Sequence, residues 1–230
     1  MPDQPSQPHA PDDPSEGLVR FLHLAGGLKR VPRSGWLDRG VAPLACESVA
    51  DHSWRVTLLA WLTASTSGAN LDLDRVLRLA LVHDLAEALA GDQTPYDRET
   101  VAGLAGADRT EFLDRRHEPG EDRRTRKAAA ERAAFAEMIS TLPAALRDEL
   151  AALQEEMLAR ETPEAQFVKA MDRVETFLQS REYAAEIPEL PVASFAAEVA
   201  ETITDPAAVG LRDAISAHGF GEAEDGPAPG

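Results

Sequence analysis

His83, Asp84 and Glu87 fall within five positions of a segment that is otherwise almost wholly apolar. Val76, Leu79, Ala80, Val82, Leu85, Ala86 and Leu89 wrap nearly the whole circumference, so the spacing predicts one helix over 76–89, central in the core. A carboxylate taken into such an interior is strongly destabilised unless a partner compensates it. His83 and Glu87, four apart, share a face, while Asp84 lies about 100° around from His83. A cation beside the helix can therefore take His83 and Asp84 together and leave Glu87 poised one turn further on. Two more polar heads emerge from apolar stripes: His52, between Val49 and Val56, and Asp172, among Phe167, Val168, Met171, Val174 and Phe177. Taken singly, His52 reads as a hydrogen-bonded core histidine, and Asp172 as the partner of a buried arginine such as Arg55 or Arg78. Taken together, two histidines and two aspartates are hard to satisfy in pairs, and one divalent ion satisfies all four. Imidazole with carboxylate oxygen suits manganese, cobalt, magnesium or a similar ion better than a thiolate-seeking one.

The elements that must position these groups read as helices throughout. Leu18 to Lys29 carries apolar residues at helical spacing, and Arg30 to Glu47, with its prolines and glycines, reads as a long loop. Ser48 followed three residues later by Asp51 has the form of a capping box for a helix running to about Ser65. Asp72 or Asp74 starts the helix that Gly91 ends. In Asp108 to Arg132 acidic and basic residues nearly cancel, which predicts solvated helix and loop. Pro143 and Pro163 sit where a first helical turn tolerates proline, the latter after a capping Thr162. Amphipathic pieces over 192–203 and 206–217 complete an all-α reading. His23 falls at the core or its rim, while His9, His117, His218 and Cys46 are assigned no chemistry.

Length and composition agree. A chain of 230 residues with 43% hydrophobic and only 5% aromatic residues has material for one helical domain. Prolines at 2, 5, 8, 11 and 14 repeat with the period of a polyproline II helix, so 1–15 is expected to be a disordered tail, as is 218–230, leaving 16–217 as the domain. A formal charge of −17 repels polyanions, which excludes nucleic acid polymers as partners but not a small anionic substrate held by a cation. One cysteine, Cys46, forms no internal disulfide. The first residues lack a secretory signal pattern, and no stretch is apolar enough to span a membrane. A soluble protein of the reducing cytoplasm is expected.

The order His52, His83-Asp84, Asp172 resembles the HD-domain phosphohydrolases, named for their adjacent His-Asp pair. The strings at 28–36, 47–53, 79–87, 91–92 and 167–172 are similar to the 5′-deoxynucleotidase branch, over about Leu18 to Pro188. That resemblance implies an all-α HD bundle, usually a homodimer, that hydrolyses deoxyribonucleoside 5′-monophosphates to deoxynucleoside and phosphate with a divalent metal. By position it implies His52, His83, Asp84 and Asp172 as metal ligands. Glu87 would act on the attacking water or the leaving 5′-oxygen, and Asp92 near the water and the sugar. Substrate contacts would come from Arg33, Trp36, His52, Asp84, Asp92 and Thr94, with Trp36 reading the deoxyribose. Gly35 precedes Trp36 where some members of the branch have a phosphate-orienting arginine, leaving Arg33 or Arg39 for that task. Asp97 to Glu131 is longer than the branch pattern, as a lid or a dimer element would be. An HD phosphodiesterase, a nucleotide triphosphohydrolase and a non-catalytic nucleotide-binding scaffold are the alternatives.

Overall fold

Helix starts are written into the chain as side chains that satisfy otherwise unpaired backbone amides. The computed structural model describes residues 14–220. Ser48 Oγ accepts from the Asp51 amide at 3.2 Å while the Asp51 carboxylate accepts from the Ser48 amide at 2.8 Å, opening α3 (Val49–Thr66) with the expected capping box. Asp72 caps α4 (Leu73–Val82), and Thr162 caps α10 (Pro163–Glu186), whose first residue is proline. The buried stripes of these three helices pack on one another: Val49 and Ala60 of α3, Val76, Leu79 and Ala80 of α4, and Phe167, Val168, Met171 and Val174 of α10.

Other helices surround this centre. α1 (Pro14–Ala25) and a short 3₁₀ turn (Gly26–Arg30) lie near α5 (Glu87–Ala90). α8 (Glu121–Ile139) packs on α5 and α9 (Ala144–Ala159), while α11 (Ala193–Thr202) and α12 (Pro206–Ala217) pack on α10. α2 (Ser34–Arg39), α6 (Arg98–Ala102) and α7 (Gly106–Asp114) complete the set. No strand occurs among the described residues, only an isolated bridge between Pro32 and Ser48. The all-α expectation is met.

Four expectations need correction. The helix over 76–89 is not continuous: it stops at Val82 and resumes at Glu87, because the backbone tightens into i to i+3 bonds, Leu85 N to Val82 O at 3.1 Å and Glu87 N to Asp84 O at 3.0 Å. The loop over 30–47 contains α2, closed by Gly40 at φ 107°, a left-handed conformation that glycine adopts without strain. The domain edges also move. Pro14 and Ser15 belong to α1, and Phe220 packs against the core with its ring against His218; the remaining tail residues, 1–13 and 221–230, lie outside the described residues. His23 is exposed rather than core or rim.

Candidate metal centre and active-site cavity

α3 contributes His52, the turn after α4 contributes His83 and Asp84, and α10 contributes Asp172. Nε2 of His52 lies 3.1 Å from Asp172 Oδ1 and 3.6 Å from Asp84 Oδ2, and Nε2 of His83 lies 3.3 Å from the same Asp84 oxygen. Ligand atoms of His52, His83 and Asp172 all fall within 4.8 Å of one another. His52, His83 and Asp172 thus converge, and an Asp84 oxygen stands 3.6 Å from Nε2 of His52 and 3.3 Å from Nε2 of His83.

The donor set fits a divalent ion. Both Nε2 atoms are buried and make no hydrogen bond, whereas each Nδ1 is engaged: His83 Nδ1–H donates to the Ala80 carbonyl at 2.7 Å, and His52 Nδ1 bonds to Glu175. A histidine whose Nδ1 proton is held in this way turns a bare Nε2 toward a cation. The pairwise alternatives fail, because Arg55 bonds to Glu175 at 2.8 Å and Glu182 at 2.7 Å, and Arg78 pairs with Asp74 and Glu149. Asp172 instead faces Lys169 and His52. Burial opposes its charge, but these two groups hold its carboxyl well below the ordinary range. Burial likewise opposes ionisation of Asp84, yet His83 keeps it depressed. Burial and Arg33 disfavour the charge of His52, but Asp172 and Glu175 outweigh them and raise its pKa to about 10, so an ion bound at Nε2 would take the place of a proton there.

Glu175, absent from the sequence-derived set, belongs to the centre. It is fully buried, fixes the ring of His52, and is itself held by Arg55. The signal was present, since Glu175 sits between Val174 and Phe177 in the same apolar stripe three residues after Asp172. Glu47, His52 and Glu175 also cluster, but Trp36 Nε1 donates to Glu47 at 2.7 Å and Arg55 serves Glu175, so that group is satisfied without an ion.

Beside the centre lies a cavity of about 680 Å³ lined by Arg33, His83, Asp84, Glu87, Asp92 and Asp172, among others. Glu87 is 2% exposed and its Oε2 has no hydrogen-bond partner. Burial, then the charges of Asp84 and Asp92, push its carboxyl well above the usual range, against Lys127 at 3.6 Å. Asp92 accepts from the Ser34 amide at 2.5 Å and from Arg33 Nη1 at 3.5 Å. Arg33 Nη1 stands equally 3.5 Å from Asp84, and Nη2 donates to Thr176 at 3.4 Å. Burial works against the Arg33 charge, but Asp92 and Asp84 more than restore it.

The other substrate candidates occupy different positions. Trp36 lines the cavity but is 2% exposed, packed against Tyr183 and Phe195 with ring centroids 5.2 and 4.6 Å away. Thr94 lines it too, its hydroxyl donating to the Tyr96 carbonyl at 2.9 Å. His52 is fully buried and does not line the cavity, so its place is behind the centre. Arg39 is committed elsewhere, bonded to Pro191 and Leu113 carbonyls, Ser194 and Tyr96, and stacked over Phe195. That leaves Arg33 as the arginine facing the cavity beside the centre. The 97–131 segment supplies another cavity wall, through Arg115 to Pro119 and α8. The part of it from Asp108 on, expected from its balanced charge to be solvated helix and loop, therefore also faces the cavity.

A helical bundle that brings a His, a His-Asp pair and a distant Asp to one point beside a cavity has the architecture of a metal-dependent phosphohydrolase. The family model described as "HD domain" matches residues 25–204, and the chain belongs to that family. It is 40% identical over 167 residues to the mouse (Mus musculus) protein named 5′-deoxynucleotidase HDDC2, covering 73% of this chain and 70% of the mouse protein. A conserved hypothetical protein of Pyrococcus furiosus superposes with a TM-score of 0.61 at 25% identity, over 86% of this chain and 98% of that one. A protein of Magnetospirillum magnetotacticum described as a predicted metal-dependent phosphohydrolase shares the fold, with a TM-score of 0.60 at 24% identity over 92% and 95% of the two chains.

Proposed function

We propose that this protein hydrolyses deoxyribonucleoside 5′-monophosphates to deoxynucleoside and inorganic phosphate, using one divalent ion held by His52, His83, Asp84 and Asp172. The observation that carries this reading is the pair of buried Nε2 atoms without hydrogen bonds, set among carboxylates at the edge of a cavity that also holds Glu87 and Asp92. Its similarity to relatives named 5′-deoxynucleotidase supports the substrate class.

The ion, when bound, supplies the positive charge that a phosphoryl group needs in order to be attacked. The chain supplies the rest. Arg33, fixed between Asp84 and Asp92, presents a guanidinium to the phosphate oxygens. Glu87, whose proton is retained by burial and by Asp84 and Asp92, delivers it to the 5′-oxygen as the P–O bond breaks. Asp92 accepts the proton of the water that forms the new P–O bond. Trp36 forms the wall against the sugar, and Thr94 lies on the loop that closes the same side. A scaffold has no use for a buried Glu87 whose Oε2 makes no hydrogen bond.

The protein is further inferred to be a cytoplasmic homodimer. Trp54, Leu58 and Trp61 recur on one face of α3, with Trp54 67% and Trp61 48% exposed, as a face covered by a second copy would be. The single free cysteine is consistent with a reducing compartment, and no described helix is long and apolar enough to cross a membrane.

The test is phosphate release from deoxy- and ribonucleoside 5′-monophosphates, cyclic nucleotides and triphosphates, after chelation and after return of manganese, cobalt or magnesium. Release from the deoxynucleoside monophosphates that disappears on chelation and returns with a single metal is expected. Faster turnover of cyclic nucleotides or triphosphates would overturn the substrate assignment.

A further inference from the structure

The cavity does not end at the catalytic groups. Lys127 of α8 reaches Glu87, and Arg123, one helical turn earlier, lines the same cavity. Arg123 Nη2 donates to the carbonyls of Thr94 at 3.2 Å and Tyr96 at 2.6 Å, which fixes the guanidinium against the loop that follows Asp92. Neither partner is a carboxylate, so the charge of Arg123 is held in place but not neutralised. Arg124 and Arg115 continue the lining toward the rim and form no ion pair among the described residues. The acids of this wall are already engaged, Glu118 with Arg116 and Glu131 with Lys127. A chain with a formal charge of −17 thus places uncompensated cations in the outer half of its cavity.

We propose that this outer half is a second anion subsite, centred on Arg123 with Arg124 and Arg115 at its rim, and that the preferred substrate carries a second phosphate on its 3′-oxygen. The proposal deepens the nucleotidase reading and rests on it for the position of the scissile phosphate. Arg123 and Lys127, one helical turn apart, both line the cavity, so an anion held at Arg123 is offset from the groups at Glu87. A cavity of about 680 Å³ falls within the range that encloses a ligand larger than a phosphate and sugar alone. The chemistry at the centre is unchanged: the oxygen of water bonds to phosphorus, the bond to the 5′-oxygen breaks, and that oxygen takes the proton. The second phosphate comes either as a monoester, in a deoxynucleoside 3′,5′-bisphosphate, or as a diester, in a 5′-phosphorylated dinucleotide. Net negative charge disfavours longer strands.

The experiment compares kcat/KM for deoxyadenosine 5′-monophosphate, deoxyadenosine 3′,5′-bisphosphate and the 5′-phosphorylated deoxyadenosine dinucleotide, in the metal-loaded wild type, Arg123→Gln and Arg124→Ala. The wild type is expected to prefer at least one two-phosphate substrate by about tenfold, the scale of a charge-assisted hydrogen bond, and which one it prefers separates monoester from diester. Arg123→Gln should bring that substrate down to the monophosphate value and leave the monophosphate itself unchanged; Arg124→Ala, at an exposed position, should do so in part. Equal efficiencies in the wild type, or an equal fall for every substrate in Arg123→Gln, would overturn the subsite, the latter showing that Arg123 only pins the loop. Should the wild type hydrolyse none of the three, the nucleotidase reading fails by itself. Calorimetric titration with the bisphosphate then decides the subsite, through a dissociation constant that rises about tenfold in Arg123→Gln or, against the proposal, does not move.

Discussion

At the scale of single residues, the centre was legible wherever an ionisable group interrupts an apolar stripe. His52, His83, Asp84 and Asp172 could be read that way because burial makes each one costly alone. Glu175 obeys the same rule, yet its role depends on Arg55 reaching across from another helix, which spacing along one chain does not reveal. Arg33 was visible only by resemblance, since a lone arginine in a loop carries no periodic signal. His83→Ala should remove one of the two bare Nε2 donors and leave Asp84 and Asp172 undercompensated. Elemental analysis should show the bound metal lost, and thermal unfolding a destabilisation of about 3–5 kcal/mol, as for a broken buried charge pair. Glu175→Gln keeps the shape but not the charge that holds His52, so metal titration should show affinity about 10–100-fold weaker. Glu87→Gln should keep the metal, because Glu87 is not among the four proposed ligands, while kcat falls by about 10²–10⁴, the usual contribution of a positioned acid. Unchanged turnover would remove Glu87 from the chemistry.

At the scale of elements, helix starts were the most legible feature, because a cap is a local exchange between a side chain and its own amides. Ser48, Asp72 and Thr162 all cap as their positions announce. The break between α4 and α5 was hidden: Val82 to Glu87 contains no glycine or proline, and each residue there is compatible with helix. Contacts with α3 and α10 on one side and α8 on the other supply what local propensity does not, and the tightened turn carries His83 and Asp84 toward the centre. α2 was missed because the six residues Ser34–Arg39 are too few to show a period. The cap at Ser48 stands one turn before His52, so its strength bears on the site. Ser48→Ala should cost about 1 kcal/mol, read as a lower urea midpoint with an unchanged slope. Metal stoichiometry should stay the same, since His52 is also held by Glu175.

At the scale of the whole molecule, net charge argues against polyanions but conceals where the positive charge lies. The segment 108–132 cancels in sequence and separates in space, with Arg116 drawn to Glu118 and Glu201 while Arg123 turns toward the cavity. A summed charge cannot report that separation. The outer face of α3 raises the corresponding question for apolar surface. Its inner stripe holds His52 in the core, so the opposite stripe must face either water or another molecule, and its large residues include two tryptophans seven positions apart. Scattered exposed apolar residues need no explanation, but two exposed indoles on one helical face, with half-buried Leu58 between them, are of the kind that marks an interface. A second copy of the chain is the expected occupant, through a symmetric contact in which α3 meets its equivalent. Light scattering at micromolar concentration should give twice the 24.8 kDa chain mass. Trp61→Glu should give a single chain mass with its metal retained, because that side chain points away from His52. A wild type that runs as a monomer under the same conditions would leave the patch without a role in self-association.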